Sequence, residues 1–289
     1  MKDPQRINDF ITEALALEAQ EAKEANALGY MGRALVQATM PHSRLKEPYF
    51  VRKNGAFSLA MMAHPDSGLP FGSIPRLLMA FITTESVRTK SPELILGDSL
   101  SGFMRELGII PSGGRWGSVS RLRNQMERLF SCSISCRYKD DDHTTTINLT
   151  PVKSSNLWWN PRDPDQMSLF NSTITLTQDF YEEITTSPVV YRMDALKLLK
   201  ASSMAVDVYI WTTYRNSYAK KPSYIPWEAL QLQFGAGYPL TVRGKLDFKK
   251  KFIEALKKVS MVYPDAEKLR AETDHLVFIP GRPHVPKLL

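Results

Sequence analysis

The side chains best suited to specific chemistry lie in two basic stretches, at residues 118–131 and 243–258. Successive residues of a helix are turned by about 100°, which places the apolar residues of the first stretch on one side. These apolar residues are Leu122, Met126, Leu129 and Phe130. The opposite side is centred on Arg121, Asn124 and Arg128. Because Arg and Asn can form paired hydrogen bonds with the edges of guanine and adenine, this side is suited to reading a DNA sequence.

The second basic stretch contains seven basic and two acidic side chains, a local charge of +5. The inward side of such a helix would hold Phe248, Phe252, Leu256 and Val259. The outward side would hold Arg243, Lys250 and Lys257. Because a lysine-rich surface suits phosphates better than base edges, we expect this helix to grip the DNA backbone, with Arg115 and Lys245 holding flanking phosphates. The alternative for either helix alone is an ordinary solvated helix with a charged outer face.

The elements around these two stretches occur twice in the same order, near residues 74–150 and again near 193–280. Each set reads as a helix, a short strand, a second helix, a Gly-bearing loop, a basic helix and a strand hairpin. A shift of 126 positions places Leu122, Met126 and Phe130 on Phe248, Phe252 and Leu256. This is the element order of a winged helix-turn-helix, whose basic helix enters the DNA major groove.

Length and composition set the number of domains. A chain of 289 residues with 43% hydrophobic content can bury more than one core, and domains of roughly 100 to 150 residues make two the natural number. Pro161 and Pro164 interrupt the segment 154–165, which is the expected boundary. We therefore predict an α+β fold with two tandem winged helix-turn-helix domains and an N-terminal helical arm. The predicted ranges are 1–41 for the arm, 42–165 for the first domain and 166–289 for the second.

The charge balance favours a polyanionic partner, since the net charge is +7. The chain has no apolar run near the roughly 18 residues that a membrane span requires. Its N-terminus, MKDPQRINDF, lacks the apolar segment of a secretory signal. We therefore expect a cytoplasmic protein with no membrane contact.

Local signals predict several other elements. Residues 7–39 read as one Ala-rich and Glu-rich helix with a break at its two glycines. Asn54-Gly55, between two strand-like runs, predicts a β-hairpin. Ser73 is expected to cap the helix that follows it. Alternating strands on either side of Asp140, Asp141 and Asp142 predict the wing of the first unit.

Neither the cysteines nor the acidic turn predicts a metal site. Cys132 and Cys136 are four residues apart, and we expect them to be buried, reduced thiols on one face of a strand. No second Cys pair or nearby His pair completes a zinc site. The residues 140–143 would alternate between the two faces of a hairpin, which favours a solvated turn over a metal cluster.

Enzymatic interpretations are weaker. Tyr214, followed by Lys220, is similar to the nucleophilic tyrosine of a rolling-circle nuclease. Such nucleases also need two histidines one residue apart to hold a metal, and the five histidines of this chain contain no such pair. A phosphate-binding loop in GAGYPLTVRGKL would need Gly where Pro239 stands and Ser or Thr where Leu246 stands. We therefore expect no catalytic residue, no metal and no cofactor.

The second half of the chain carries a resemblance to a known family. The segments ITLTQDFYEEITTSPV, ALKLLKASSMAVDVYIWTTYRNSY, YIPWEALQLQFG and FKKKFIEALKKV resemble the C-terminal domain of plasmid-encoded RepA-type replication initiators. The similarity extends from about His42 to the C-terminus. It implies a bacterial protein that binds repeated double-stranded DNA at a plasmid origin, helps to open the duplex and recruits the host initiator and the replicative helicase. It also implies repression of the protein's own gene and an exchange between dimers and monomers.

The chain departs from the family at one point. Members usually follow Ser-Pro-Val with Pro, a hydrophobic residue and Asp, whereas this chain has Val190, Tyr191 and Arg192. Loss of the Asp is expected to weaken the start of the next helix while the fold survives. A transcriptional regulator built from the same two units is the main alternative function, and the nuclease is the third.

Overall fold

Residues 28–139, 141–235 and 237–285 are described by a computed structural model of the chain. It has a mixed α+β fold with several small antiparallel sheets. The helices are α1 (Arg33–Gln37), α2 (Ser73–Thr89), α3 (Leu100–Glu106), α4 (Ser118–Ser131), α5 (Gln178–Thr186), α6 (Met193–Leu199), α7 (Ser203–Asn216), α8 (Trp227–Phe234) and α9 (Val242–Val262). The strands are β1 (Leu28–Met31), β2 (Tyr49–Asn54), β3 (Phe57–Met62), β4 (Glu93–Gly97), β5 (Ser133–Lys139), β6 (Thr144–Leu149), β7 (Val152–Asn156), β8 (Ser172–Leu176), β9 (Val189–Arg192), β10 (Ser223–Pro226), β11 (Arg270–Ala271) and β12 (His275–Phe278). None of the helices in these ranges is both long and apolar enough to cross a bilayer.

The first basic stretch lies in a unit that resembles a winged helix-turn-helix, with the hairpin after the basic helix forming part of a four-stranded sheet. Helices α2, α3 and α4 surround a core that includes the predicted inner face of α4, and Ser99 caps α3 by accepting a hydrogen bond from the Gly102 amide. Gly72, and not the predicted Ser73, is the N-cap of α2, so Ser73 already lies inside the helix. The wing hairpin β5–β6 extends a hairpin, β2–β3, in the sheet order β2-β3-β5-β6. The hairpin predicted at Asn54-Gly55 is present, but Asn54 still pairs with Phe57, so the two turn residues are Gly55, with a φ of 59°, and Ala56.

The second basic stretch lies in a simpler unit with the same element order. Helix α7 is followed by β10, α8, α9 and the hairpin β11–β12, and β10 pairs with β12. Thr241 caps α9 by accepting a hydrogen bond from the Gly244 amide. The inner face of α9 is buried against α7, as the periodicity predicted. Pairing of β10 with β12 ties the strand before the helix-turn-helix to the wing that follows it.

Several strand pairs join parts of the chain that are distant in sequence. β8 lies between β4 and β7, so it pairs with elements from the other side of the boundary proposed at residues 165 and 166. That boundary stays a prediction. β1 pairs with β9, and the helix predicted over residues 7–39 is therefore wrong for residues 28–31, which form a strand. Residues 7–27 of that prediction lie outside the described residues.

The departure from the family pattern is accommodated at β9. The ring of Tyr191 is fully buried, and its hydroxyl donates a hydrogen bond to the Tyr30 carbonyl of β1. Helix α6 still forms, with Arg192 as its N-cap residue. Asp194 in the first turn accepts a hydrogen bond from the Ala195 amide, so an acidic side chain stabilises this helix start.

The cysteines are buried and free, as predicted. Burial raises the pKa of each thiol to about 12, which keeps both protonated. Their placement differs from the prediction, because only Cys136 lies on a strand while Cys132 is the C-cap residue of α4. The two thiols therefore do not share one strand face.

A buried ion pair connects the two halves of the fold. The Arg76 guanidinium of α2 donates two hydrogen bonds of 2.7 Å to the two carboxylate oxygens of Asp207 on α7. The same guanidinium donates to the carbonyls of Met40, Pro41 and Gly72. Nε2 of His42 lies 2.7 Å from Oδ2 of Asp207. Although burial alone would raise the pKa of the Asp207 carboxyl, the charge of Arg76 and the contact with His42 lower it.

A second buried cation lies close to this pair. Arg52 of β2 is only 4% exposed, and its guanidinium lies 5.0 Å from the centroid of the Phe50 ring. In the described ranges of the chain, no group accepts a hydrogen bond from its Nε or Nη2 atoms. Burial, opposed by the charge of Asp207, lowers the pKa of Arg52 to about 9. The Asp207 carboxylate therefore stabilises two buried cations.

Removal of this carboxylate is the first test. Asp207→Ala should lower the free energy of unfolding by about 3 to 5 kcal/mol, because it leaves buried cations without a counter-charge. The matched control is Asp165→Ala, which removes the exposed ion pair with Arg105 and should cost less than about 1 kcal/mol. Urea unfolding measures the free energy of unfolding of both variants. Equal losses in the two would show that the buried ion pair stabilises the fold no more than the exposed one.

The fold should also lose stability in mild acid. Burial lowers the pKa of His284 from 6.5 to about 4, and its ring is stacked on Tyr263 with centroids 4.7 Å apart. As the pH falls through this window the unfolded chain binds a proton that the folded chain does not. The free energy of unfolding should therefore fall by about 1 kcal/mol for each pH unit. Urea titrations between about pH 7 and pH 4 should show a shallower slope for His284→Gln, and an unchanged slope would contradict this assignment.

Candidate nucleic-acid interface

The loop before α4 fixes the start of the first basic helix. Ser112 and Ser118 exchange hydrogen bonds, since the Ser112 amide donates to Oγ of Ser118 and the Ser118 amide donates to Oγ of Ser112. Oγ of Ser118 also donates to the Ile110 carbonyl. These bonds close the loop across its base, so the position of α4 relative to α3 is set by local hydrogen bonds as well as by core packing.

The outer face of α4 carries part of the predicted base-reading set. Arg121 and Asn124 are exposed, as predicted. Arg128 is only 8% exposed, so its predicted position on this outer face is wrong. Two exposed positions that the projection of the helix left out, Arg123 and Glu127, complete the face.

Arg128 is used inside the protein. Its Nη1 donates a hydrogen bond of 3.1 Å to the Leu69 carbonyl, and its guanidinium lies 5.5 Å from the centroid of the Phe71 ring. Its Nε donates to Oδ1 of Asn124 at 2.7 Å. A paired contact of Asn124 with adenine would therefore require this oxygen to accept a second hydrogen bond. The helical projection missed this because residues 68–71 cover one flank of α4, which no local pattern indicates.

A cleft of about 700 Å³ lies along the outer face of α4, between this helix and β7. Arg123 and Asn124 line it from the helix, and Lys153 lines it from the strand. Lys153 is exposed, and sequence reasoning missed it because a single lysine in a polar strand gives no signal. The cleft adds two cations, Arg123 and Lys153, to the predicted surface.

The predicted basic residues of the second unit fall into two groups. Lys250 and Lys257 are exposed on α9, and among the described residues neither forms an ion pair. Arg243 pairs with Asp247 at 3.2 Å, and Lys245 pairs with Glu228 at 2.6 Å. The first group is available for phosphates, whereas Arg243 and Lys245 would have to exchange a carboxylate for a phosphate.

One lysine of α9 has a structural role that the sequence did not suggest. Nζ of Lys249 donates hydrogen bonds to the carbonyls of Glu272 and Thr273 at the turn between β11 and β12. It also lies 5.1 Å from the centroid of the Trp227 ring. Lys249 therefore holds the wing of the second unit against its basic helix.

The remaining predicted residues have clear positions. Arg115 is exposed in the loop before α4, where its guanidinium lies 5.1 Å from the centroid of the Trp116 ring. Tyr214, considered above as a nucleophile, is partly buried against the core and packs edge-on against Tyr218 at 5.0 Å. In the part of the chain that the structure describes, no three His, Cys, Asp or Glu side chains are arranged to hold a metal ion.

Comparison with known proteins gives a family match and a fold match. The model of a family described as plasmid-encoded RepA protein matches residues 69–227. No curated protein sequence matches the chain. The selenomethionine derivative of domains 2 and 3 of RctB superposes with a TM-score of 0.53 at 12% identity, covering 84% of this chain and 96% of that chain. Another structure of RctB domains 2 and 3 gives a TM-score of 0.49 at 11% identity, covering 84% and 94% of the two chains.

The different positions of Arg121 and Arg128 lead to opposite expectations for two similar substitutions. Arg121→Ala should weaken binding to a recognised DNA site by about 1 to 3 kcal/mol and relax the preference at one base pair. Arg128→Ala should lower the free energy of unfolding by about 1 to 3 kcal/mol, because it leaves the Leu69 carbonyl without its donor, and should leave the preference at the base pair read by Arg121 unchanged. Anisotropy titrations with single-base variants of the site, together with urea unfolding, measure both effects. Loss of preference at that same base pair in Arg128→Ala would contradict its inward assignment.

Proposed function

Because the chain belongs to the plasmid-encoded RepA family of replication initiators, we propose that it starts plasmid replication by binding repeated DNA sequences at an origin without cutting them. The observation that carries this proposal is the outer face of α4, where Arg121, Arg123 and Asn124 are exposed on a helix whose inner face is buried. Such a helix, preceded by a turn and followed by a wing, is the element that reads the major groove in helix-turn-helix proteins.

The two basic helices make different kinds of DNA contact in this proposal. Arg and Asn on α4 have the hydrogen-bonding groups to distinguish bases, so α4 reads one half of each repeat. Lys250 and Lys257 on α9 supply charge without paired hydrogen bonds, so α9 grips phosphates of the adjacent half. Arg115, Arg243 and Lys245 add contacts to flanking phosphates. Arg243 and Lys245 release their carboxylate partners when they do so.

The proposed architecture consists of two winged helix-turn-helix domains in tandem. The first covers residues 42–165 and the second covers residues 166–289, after an N-terminal arm at residues 1–41. The repeated element order and the fold similarity to domains 2 and 3 of RctB support this division. In this division, β8 of the second domain pairs with β4 and β7 of the first.

Family membership supports the remaining parts of the proposal. Binding at the origin promotes opening of the duplex and recruits the host initiator and the replicative helicase. The same DNA contact at the promoter represses the protein's own gene, with dimers as the repressing form and monomers as the initiating form. None of these steps requires a catalytic group of this chain.

A complementation assay tests the function. The gene supplied in trans should maintain a plasmid that carries only the origin region, and the purified protein should protect repeated sequences there from nuclease digestion. A nicking gel run in parallel should show intact supercoiled DNA. Promoter binding without plasmid maintenance would favour the transcriptional regulator, and a nicked product would favour the nuclease.

The proposed role of α9 predicts a salt effect. The double variant Lys250→Ala/Lys257→Ala should weaken binding to all DNA sequences alike and reduce the slope of log affinity against log salt by about 2. The matched control Lys46→Ala/Lys53→Ala removes the same charge from exposed residues outside both basic helices and should leave the slope unchanged. Equal salt slopes in the two double variants would show that α9 does not contact the DNA.

A further inference from the structure

The loop before α4 displays a large aromatic side chain. Trp116 is 80% exposed, although tryptophan is the side chain with most to gain from burial. The Arg115 guanidinium lies 5.1 Å from the centroid of its ring. An exposed ring beside an unburied guanidinium offers a flat apolar surface and a positive charge at one position.

This display is built into the backbone of the loop. A Cβ at Gly117, next to Trp116, would lie 2.2 Å from the carbonyl oxygens of Ser112 and Gly113, so only glycine fits there. Gly114 has a φ of 84°, which favours glycine, and its carbonyl accepts a hydrogen bond from Oγ of Ser120. Together with the exchange of hydrogen bonds between Ser112 and Ser118, these contacts hold the loop in one conformation with Trp116 outward.

The loop does not use the amides at the start of α4 as its ligand-binding groups. The Ser118 amide donates to Oγ of Ser112, and the Val119 amide donates to the Ser112 carbonyl. These donors are therefore occupied inside the protein. The ring of Trp116 and the guanidinium of Arg115 are exposed beside these occupied amides.

We propose that Trp116 and Arg115 form a stacking site for an unpaired nucleotide of single-stranded DNA. Every base has a flat face that can stack on an aromatic ring, and a neighbouring cation attracts the phosphate, which is the combination found in proteins that bind single strands without sequence preference. The loop directly precedes α4, so a duplex held by this helix brings its strands close to the ring. This inference rests on the proposed function, because a strand becomes unpaired where the origin duplex opens.

Binding of oligothymidylate by the full chain tests the site. Trp116→Ala should weaken binding of an oligothymidylate of about 15 nucleotides by about tenfold or more, and Trp116→Phe, which keeps a smaller ring, should restore part of the loss. Arg115→Ala should weaken the same binding and reduce its salt dependence. Ile110→Ala is the matched control, since Ile110 is an 84% exposed apolar residue of the same loop and should leave the affinity within about twofold.

Intrinsic fluorescence gives an independent measure. Oligothymidylate should quench the tryptophan emission of the wild-type chain, and Trp116→Phe should abolish most of this quenching. Trp158→Phe, which removes another exposed tryptophan, should retain it. Thermal unfolding should be unchanged in Trp116→Ala because the removed side chain is exposed.

Duplex binding separates this inference from the proposed function. Trp116→Ala should keep its affinity for origin duplex within about threefold of the wild type, so a selective loss for the single strand supports the stacking site. The inference is overturned if the wild type does not bind oligothymidylate, if Trp116→Ala binds it normally, or if the variant loses duplex affinity to the same extent. Failure of the proposed function appears differently, as wild-type protein that does not distinguish origin duplex from unrelated duplex.

Discussion

The arrangement of both basic helices depends on one buried carboxylate. Asp207 on α7 binds the Arg76 guanidinium of α2 through two hydrogen bonds, and Arg76 in turn holds the carbonyls of the segment before α2. Helix α4 packs on α2, and α9 packs on α7. The pair therefore fixes the two helices on which the basic helices rest. A buried ion pair stabilises a fold only when its two partners are well aligned and their remaining polar groups are hydrogen-bonded. Removal of one partner is therefore strongly destabilising.

The same constraint explains how the protein uses its basic residues. Arginines that contact several carbonyls or rings, such as Arg76 and Arg128, are part of the framework even though they look identical in sequence to arginines on a binding face. Lys249 similarly supports a wing. Basic residues that serve as part of the framework in this way are not available to an anionic partner at the surface.

Two chemically different surfaces are adjacent in the first unit. The outer face of α4 carries hydrogen-bonding groups suited to base edges, whereas the loop before it carries a ring and a guanidinium. Hydrogen bonds between Ser112 and Ser118 join the two surfaces. A protein of the plasmid-encoded RepA family that both recognises a duplex and meets its separated strands would need such surfaces side by side. In the second unit, the exposed residues Lys250 and Lys257 of α9 supply charge without the paired hydrogen-bonding groups of arginine or asparagine.

The sequence by itself determined the elements whose signals are local. Helical spacing identified the buried faces of α4 and α9, because a helix repeats its environment every few residues. The resemblance to the family was also visible in the sequence, because it lies in continuous segments of the chain. Only the tertiary structure decided the inward position of Arg128, the pairing of β1 with β9, the place of β8 between β4 and β7 and the ion pair of Arg76 with Asp207. Each of these joins residues far apart in the chain, and a periodic pattern carries no information about which distant segment will cover a given face.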